Sequence, residues 1–114
     1  MAEKCDFILS HHCYLGEKFF LFSHNSLPLA RKIISKIENA KVPVKDEEEL
    51  KQISFNYMLG AEKGIVLTSH KTQRACLEDL VDKSITTEIP FDLVSQCARI
   101  SSLECIKYFS GLER

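Results

Sequence analysis

The sequence has no long hydrophobic run, no excess of charge of one sign and no glycine-rich phosphate loop. No apolar segment approaches the roughly 20 residues of a membrane-spanning helix, and the start, MAEKCDFIL, does not predict a secretory signal. A formal net charge of −1 gives no electrostatic reason to expect a nucleic acid or an anionic membrane as partner. The four glycines are scattered, and the common nucleotide-binding spacings do not occur.

Paired cysteine motifs are also missing. The chain has five cysteines, an odd number, and no CxxC pair occurs. A secreted disulfide framework usually shows an even and dense set, so we expect free, mostly buried thiols in a reducing compartment, the cytoplasm or the nucleus. The cysteines are Cys5, Cys13, Cys76, Cys97 and Cys105.

The overall amino-acid composition is typical of an ordinary globular domain. The apolar fraction is 45% and the charged fraction is 27% of 114 residues, which suits one hydrophobic core. We therefore expect a single domain over 1–114, either complete or cut from a longer protein.

Two short aromatic and branched segments open the chain. Residues 6–10 and 18–23 are too short for helices and read as strands, and Gly16 between them suits the turn of a hairpin. From Ser26, a potential N-cap, the spacing becomes helical and predicts a helix over 27–39. Its inner face consists of Ala30, Ile33, Ile34 and Ile37.

The middle of the chain predicts a second helix, a third strand and a third helix. Asp46 and Glu49 resemble a capping box, and the helix they begin is expected to run to Gly60. The segment 64–69 is a strand candidate, and 72–84 has a helical spacing of apolar residues.

The C-terminal segment predicts a helical hairpin over 90–110. The preceding SITTEI reads as a break between helices, and Pro90 suits a helix start. The SSLE segment, 101–104, resembles a second capping box and indicates a fresh helix start. Leu103, Ile106 and Phe109 are expected to form the inner face of the last helix, and Gly111 is expected to end it.

The clustered histidines and cysteines near the N-terminus raise the question of a metal or nucleophile site. Zinc needs four converging ligands, but His11, His12 and Cys13 are adjacent on a strand, where neighbours point to opposite faces. A nucleophilic cysteine needs a base and a lowered pKa, and buried thiols are inert. We therefore expect no catalytic residue, no cofactor and no metal, with Cys13 as the exposed thiol.

Three Ser-His pairs follow apolar strands and leave an enzymatic alternative open. His11, His24 and His70 could serve a small α/β enzyme if they met at strand ends. Because Ser and His are also common where a strand leaves the core, we interpret them as strand ends. A helical-repeat fragment is a further alternative, but no period near 33 residues is visible.

The predicted order of strands and helices and several local phrases resemble the BTB/POZ fold, the superfamily that includes elongin C. Cys5-Asp6-Phe7 is similar to the phrase that opens the family's first strand, and Leu21–His24 runs into NSLPLAR as a similar phrase runs into the family's first helix. A gapless match to that phrase places His24, Ala30 and Arg31 on family positions. The chain departs from the family's pattern at Pro28 and Lys32, among other positions.

The resemblance implies an α+β fold with an N-terminal β-hairpin and a third short strand packed on about five helices. It also implies a protein–protein interaction module that self-associates, or recruits a scaffold such as a cullin-type ubiquitin ligase or a transcriptional partner. No nucleic acid, membrane or small-molecule substrate is expected. The protein-binding residues expected from the resemblance and from strand alternation are Asp6, Phe20, Phe22, His24 and Arg31.

Overall fold

A computed structural model describes residues 7–53, 58–68 and 83–111 of the chain. The elements in these ranges are β1 (Ile8–Tyr14), β2 (Phe20–His24), α1 (Leu27–Asn39), α2 (Glu47–Lys51), β3 (Met58–Glu62), β4 (Ile65–Thr68), β5 (Ser84–Pro90) and α3 (Val94–Ser110). A short 3-10 helix, Phe91–Leu93, joins β5 to α3. None of the helices in these ranges is long and apolar enough to cross a membrane.

The strands form one mixed five-stranded sheet in the order β1-β5-β2-β4-β3. β5 runs parallel to β1 and antiparallel to β2. β4 runs parallel to β2 and forms an antiparallel hairpin with β3. As far as the described residues extend, β1 and β3 are therefore the two edges of the sheet.

The predicted N-terminal hairpin is wrong, because β5 lies between β1 and β2, the two strands that the hairpin would have paired directly. SITTEI, interpreted from sequence as a break, forms most of this strand, and Ile8 stands opposite Ser84. Every residue of β5 is buried, including Thr86, Thr87 and Glu88. Four of its seven residues are Ser, Thr or Glu, so the segment lacks the apolar run that usually marks a strand buried on both faces.

The second predicted helix begins where expected but ends early. The capping box is confirmed: the Glu49 amide donates to Asp46 Oδ1 at 2.8 Å, and the Asp46 amide donates to the Glu49 carboxylate at 3.2 Å. However, α2 ends at Lys51, and Gly60 lies in β3, where the register shifts between Met58 and Gly60. The third predicted strand, 64–69, is confirmed as β4.

The predicted C-terminal helical hairpin is a single helix, α3. Pro90 belongs to β5, and the SSLE segment lies in the helix interior, where Ser101 is fully buried. A Ser followed three residues later by Glu is compatible with a helix interior, so the pattern alone misplaced a boundary. Gly111 does end the helix, in a left-handed conformation with φ 84°.

The predicted BTB/POZ-like fold is therefore wrong, although the coarser α+β class is consistent. A five-stranded mixed sheet replaces the short sheet, and three α-helices are present in the described ranges in place of about five. The prediction of α1 is confirmed over Leu27–Asn39, with its expected inner face buried. Ser26 does not cap it, because its hydroxyl donates to the His24 carbonyl at 2.9 Å.

The core is a layer between the sheet and the two long helices. α1 packs over β2 and β4, α3 packs over β1 and β5, and the helices contact each other. Phe19, Leu21, Ile33 and Ile85 are fully buried in this layer, and each such side chain contributes about 1.5–3 kcal/mol to folding. A smaller cluster around Phe20, Leu50 and Val66 occupies the other face of the sheet.

Some sequence predictions fall outside the described ranges. These are Cys5, Asp6, His70, Cys76 and nearly all of the predicted helix 72–84.

Candidate functional site

The edge strand β1 has an unusual composition for its position. Its sequence, ILSHHCY, contains no Asp, Glu, Lys, Arg or Pro. Edge strands usually carry lysine, proline or a bulge that prevents pairing with another chain. Among the described residues, only β5 pairs with β1, and their register is continuous over all seven residues. The outer side of β1 is therefore a regular seven-residue edge without such protection.

The hydrogen bonds of β1 show which backbone groups point outward. The Ile8 amide donates to the Lys83 carbonyl at 3.3 Å, so the even-numbered residues of β1 face β5. Backbone groups alternate sides along a strand. The amide and carbonyl groups of Leu9, His11 and Cys13 therefore point away from the sheet. These outward groups form the β1 edge.

An exposed apolar stripe on α3 runs beside this edge. Leu103, Ile106 and Phe109 follow one another at spacings of three, and Ile106 is 63% exposed. The Phe109 ring lies 4.9 Å from that of Phe7, just before β1. Ser102, one helical turn from Ile106, reaches His11 on β1. This side of α3, called the α3 stripe, is thus continuous with the β1 edge.

A half-buried histidine joins the edge strand to its neighbours. His11 Nδ1 lies 2.6 Å from Thr87 Oγ1 on β5, and Nε2 lies 3.1 Å from Ser102 Oγ on α3. Thr87 Oγ1 in turn donates to the Ser10 carbonyl at 3.4 Å. Burial, and secondarily the nearby His12, lower the pKa of His11 below its ordinary value. The side chain is therefore neutral at pH 7, with one ring nitrogen as donor and the other as acceptor.

The Ser102–His11 contact resembles the nucleophile and base of an acyl-transfer enzyme, but its surroundings do not support that chemistry. Acyl transfer needs free backbone or side-chain donors for the developing oxyanion. Ser102 lies in the interior of α3, where neighbouring amides donate to helix carbonyls. His11 instead links β1, β5 and α3, and each such hydrogen bond contributes about 0.5–1.5 kcal/mol to stability.

The Ser-His pairs occupy different positions. His11 lies within β1, not at its end, so the strand-end prediction is wrong for this residue. His24 does end β2, and its Nδ1 lies 3.3 Å from the Thr68 carbonyl. His12 points to the other face of β1, with Nδ1 3.6 Å from Glu88 Oε2. The three histidines within the described ranges are thus distributed over both faces of the sheet and do not form one site.

The predicted binding residues are also dispersed. Phe20 and Phe22 share a face of β2, as expected, with ring centroids 5.6 Å apart, and Phe20 and His24 are buried. Arg31 is exposed on α1, where Nε and Nη2 donate to the two carboxylate oxygens of Glu62, each at 2.9 Å. Because α1 covers the opposite face of the sheet, the structure does not bring Arg31 together with the phenylalanines.

A groove between α1 and the β3–β4 turn is lined by charged side chains. Arg31 pairs with Glu62 and Lys63 pairs with Glu38 along its walls. The hydrogen bond from Arg31 lowers the pKa of Glu62. Because these cations and carboxylates already neutralise one another, the described residues of the groove offer no unsatisfied charge for a ligand.

The described cysteines do not form a reactive or metal-binding centre. Cys97 and Cys105 are buried free thiols, and burial raises the pKa of each to about 11. Cys13 is a free and exposed thiol at the end of β1. Within the three described ranges, no group of three or more His, Cys, Asp or Glu side chains is placed to hold a metal ion.

The sequence patterns did not reveal the roles of Thr87, Ser102 and the α3 stripe. The available signal was the helical spacing of Leu103, Ile106 and Phe109, which was assigned to an inner face. Comparison with known proteins found no matching family model, curated protein or solved structure. The likeness to BTB/POZ proteins therefore rests on local phrases alone.

Proposed function

We propose that this protein is a protein–protein interaction module that associates with a second copy of itself through the β1 edge and the α3 stripe. The observation that supports the proposal is the juxtaposition of an unprotected seven-residue edge with exposed Ile106. An edge strand supplies main-chain hydrogen bonds, and an apolar stripe supplies the buried area that stabilises an interface.

The opposite edge of the sheet is less suitable for pairing. β3 has five residues, and its register shifts between Met58 and Gly60. Its last residue, Glu62, is held by Arg31. A short, irregular edge that ends in a charge is the usual protection against strand addition. The two edges thus differ in the features that govern pairing.

A second copy of the chain suits this surface on electrostatic grounds. β1 contains no permanently charged side chain, and His11 is neutral at pH 7, so two β1 strands can approach without like-charge repulsion. The chain's net charge of −1 adds little long-range repulsion. Homo-oligomers most often form two-fold dimers in which the same patch meets itself.

Other parts of the predicted function stay predictions. Recruitment of a cullin-type ubiquitin ligase or a transcriptional partner follows from the BTB/POZ resemblance, and no contact among the described residues supports it. A reducing compartment, cytoplasmic or nuclear, is in keeping with the free thiols of Cys13, Cys97 and Cys105. Fractionation of cells that express the tagged protein would test the compartment.

The mass in solution tests self-association directly. Light scattering over a wide concentration range should show a rise from the 13.0 kDa monomer towards twice that mass. Cys13→Pro removes an outward amide without removing a β1–β5 hydrogen bond, and Ile106→Lys places a charge on the α3 stripe. Each should raise the dimer dissociation constant about tenfold or more.

Leu59→Lys is the matched control for Ile106→Lys. Leu59 is 72% exposed, but it lies on β3 at the opposite edge, so its replacement should leave the mass unchanged. A wild-type chain that stays monomeric at every concentration would overturn the proposal. Equal effects of the two lysine variants would refute the assigned surface.

A further inference from the structure

We infer that the second copy adds to β1 as an antiparallel strand about a two-fold axis through His11. The two sheets then join into one continuous sheet of ten strands. This inference rests on the proposed self-association and adds to it the direction and register of pairing. Three independent features of the described residues lead to it: the backbone pattern, the side-chain pairs and the position of α3.

The backbone pattern limits the possible registers. The outward groups of β1 belong to Leu9, His11 and Cys13. When His11 faces His11 of the second copy, Leu9 faces Cys13, and all three residues form hydrogen-bonded pairs. A shift by two residues in either direction leaves one of the three without a strand partner. The register centred on His11 therefore satisfies the most backbone groups.

The side chains brought together by this register are compatible. On the helix-covered face, Leu9 meets Cys13, and the two neutral His11 rings meet at the axis. On the other face, Ile8 meets Tyr14, and pairs of an aromatic with a β-branched residue stabilise antiparallel strands. Ser10 and His12 form the remaining pair. No Asp, Glu, Lys or Arg of β1 is placed opposite a like charge, because β1 has none.

The position of α3 fits the same arrangement. α3 packs over both β1 and β5, and strands lie about 4.8 Å apart. A helix above the midpoint of these strands lies about 5 Å from an axis beside β1, so the two α3 helices would be about 10 Å apart. Packed helices lie at about this distance. Ile106 and Phe109, on the side of α3 that faces β1, would then be covered by the second copy.

Disulfide trapping tests the register. In this pairing, residue 9 of one copy faces residue 13 of the other at about 5.5 Å between Cα atoms, a distance that a disulfide spans. Leu9→Cys, which leaves Cys13 native, should give two intermolecular disulfides per dimer under mild oxidation. Peptide mass spectrometry should assign them to positions 9 and 13. Leu9→Cys with Cys13→Ser is the matched control and should not cross-link.

A second pair of positions keeps the test decisive if Leu9→Cys fails to fold, since Leu9 packs against the core. Ser10→Cys with His12→Cys, in a Cys13→Ser background, places two thiols opposite each other on the other face, about 4.5 Å apart between Cα atoms. Cross-linking between positions 10 and 12 of different copies would support the same register.

The outcomes separate the register from self-association. A dimer by light scattering whose folded variants cross-link at 9–9 or 13–13, or not at all, would overturn the register and leave self-association standing. A wild-type monomer at every concentration would overturn both. A covalent dimer linked 9–13 supports both.

Discussion

His11 Nδ1 lies 2.6 Å from Thr87 Oγ1, and this contact joins the edge strand β1 to the buried strand β5. Thr87 is fully buried, and its hydroxyl also reaches the Ser10 carbonyl. Since His11 meets Ser102 with its other nitrogen, one imidazole fixes the edge strand against both the sheet and the helix that covers it. The strand that forms the proposed dimer surface is thus held by side-chain hydrogen bonds on its helix-covered face.

Thr87→Val should destabilise the fold by about 1–3 kcal/mol, because it leaves a half-buried imidazole nitrogen without its acceptor while keeping the shape of the side chain. Urea unfolding at a fixed protein concentration measures the change. Thr86→Val is the matched control, since Thr86 is the neighbouring buried threonine on the other face of β5. Equal decreases in the free energy of unfolding for the two variants would show that the contact with His11 adds no stability.

Acid should weaken the fold through His11. The pKa of His11 is lowered in the folded state from 6.5 by burial, then by His12, so the unfolded chain binds the proton more readily. Its stabilising contribution is complete above pH 6.5 and is lost as the pH falls through the folded-state pKa. The stability difference between wild type and His11→Asn should therefore shrink as the pH is lowered from about 7.5 to 5. If the unfolding free energies of wild type and His11→Asn changed with pH in parallel, His11 would not be the group responsible.

Gly64→Ala should destabilise the β3–β4 hairpin strongly. Gly64 has φ 75°, and an added Cβ would lie 2.5 Å from Ile34 Cδ1 and 2.6 Å from Val44 Cγ1. Left-handed strain costs about 1–3 kcal/mol, and the clash with the core adds to it. Gly111→Ala is the control, since Gly111 has φ 84° with no atom within 4 Å of the added Cβ. Thermal unfolding should show the larger decrease in melting temperature for Gly64→Ala. Equal decreases for the two variants would show that the clash with Ile34 and Val44 does not contribute.

Arg31→Ala should leave self-association unchanged. Arg31 was expected from sequence to bind a partner, but its guanidinium pairs with Glu62 on the α1 side of the molecule, beside β3 and far along the sheet from β1. Sedimentation of Arg31→Ala and Ile106→Lys at equal concentration compares the two surfaces. Loss of the dimer in Arg31→Ala but not in Ile106→Lys would indicate that the interface lies on α1 and not at the β1 edge.

Elements whose signals are local could be predicted from the sequence. The apolar face of α1, the capping box at Asp46 and the helix end at Gly111 depend on residues within one or two turns of each other. The strand segments near β1, β2 and β4 were also located, because their branched and aromatic residues are contiguous. The same local signals gave a false helix start at 101–104, where tertiary burial of Ser101 continues the helix.

The candidate site could not be predicted in the same way. Its β1 edge exists only because β5 occupies the other side of β1, and its histidine is half-buried only because Thr87 and Ser102 meet it from distant segments. The sequence correctly indicated that Phe20 and Phe22 share a face, since strand alternation is local. Which face they share, and what covers it, depends on the order of strands in the sheet.

The sequence by itself determined the amphipathic helix α1, the helix start at Asp46 and the α+β class. Helix hydrogen bonds join residues four apart, so the pattern that predicts a helix is contained within one short segment of the chain. Tertiary structure alone decided that SITTEI is a strand between β1 and β2 and that β1 is an edge. Strand hydrogen bonds join residues of any separation, and the buried polar residues of β5 gain their partners only once the sheet has formed.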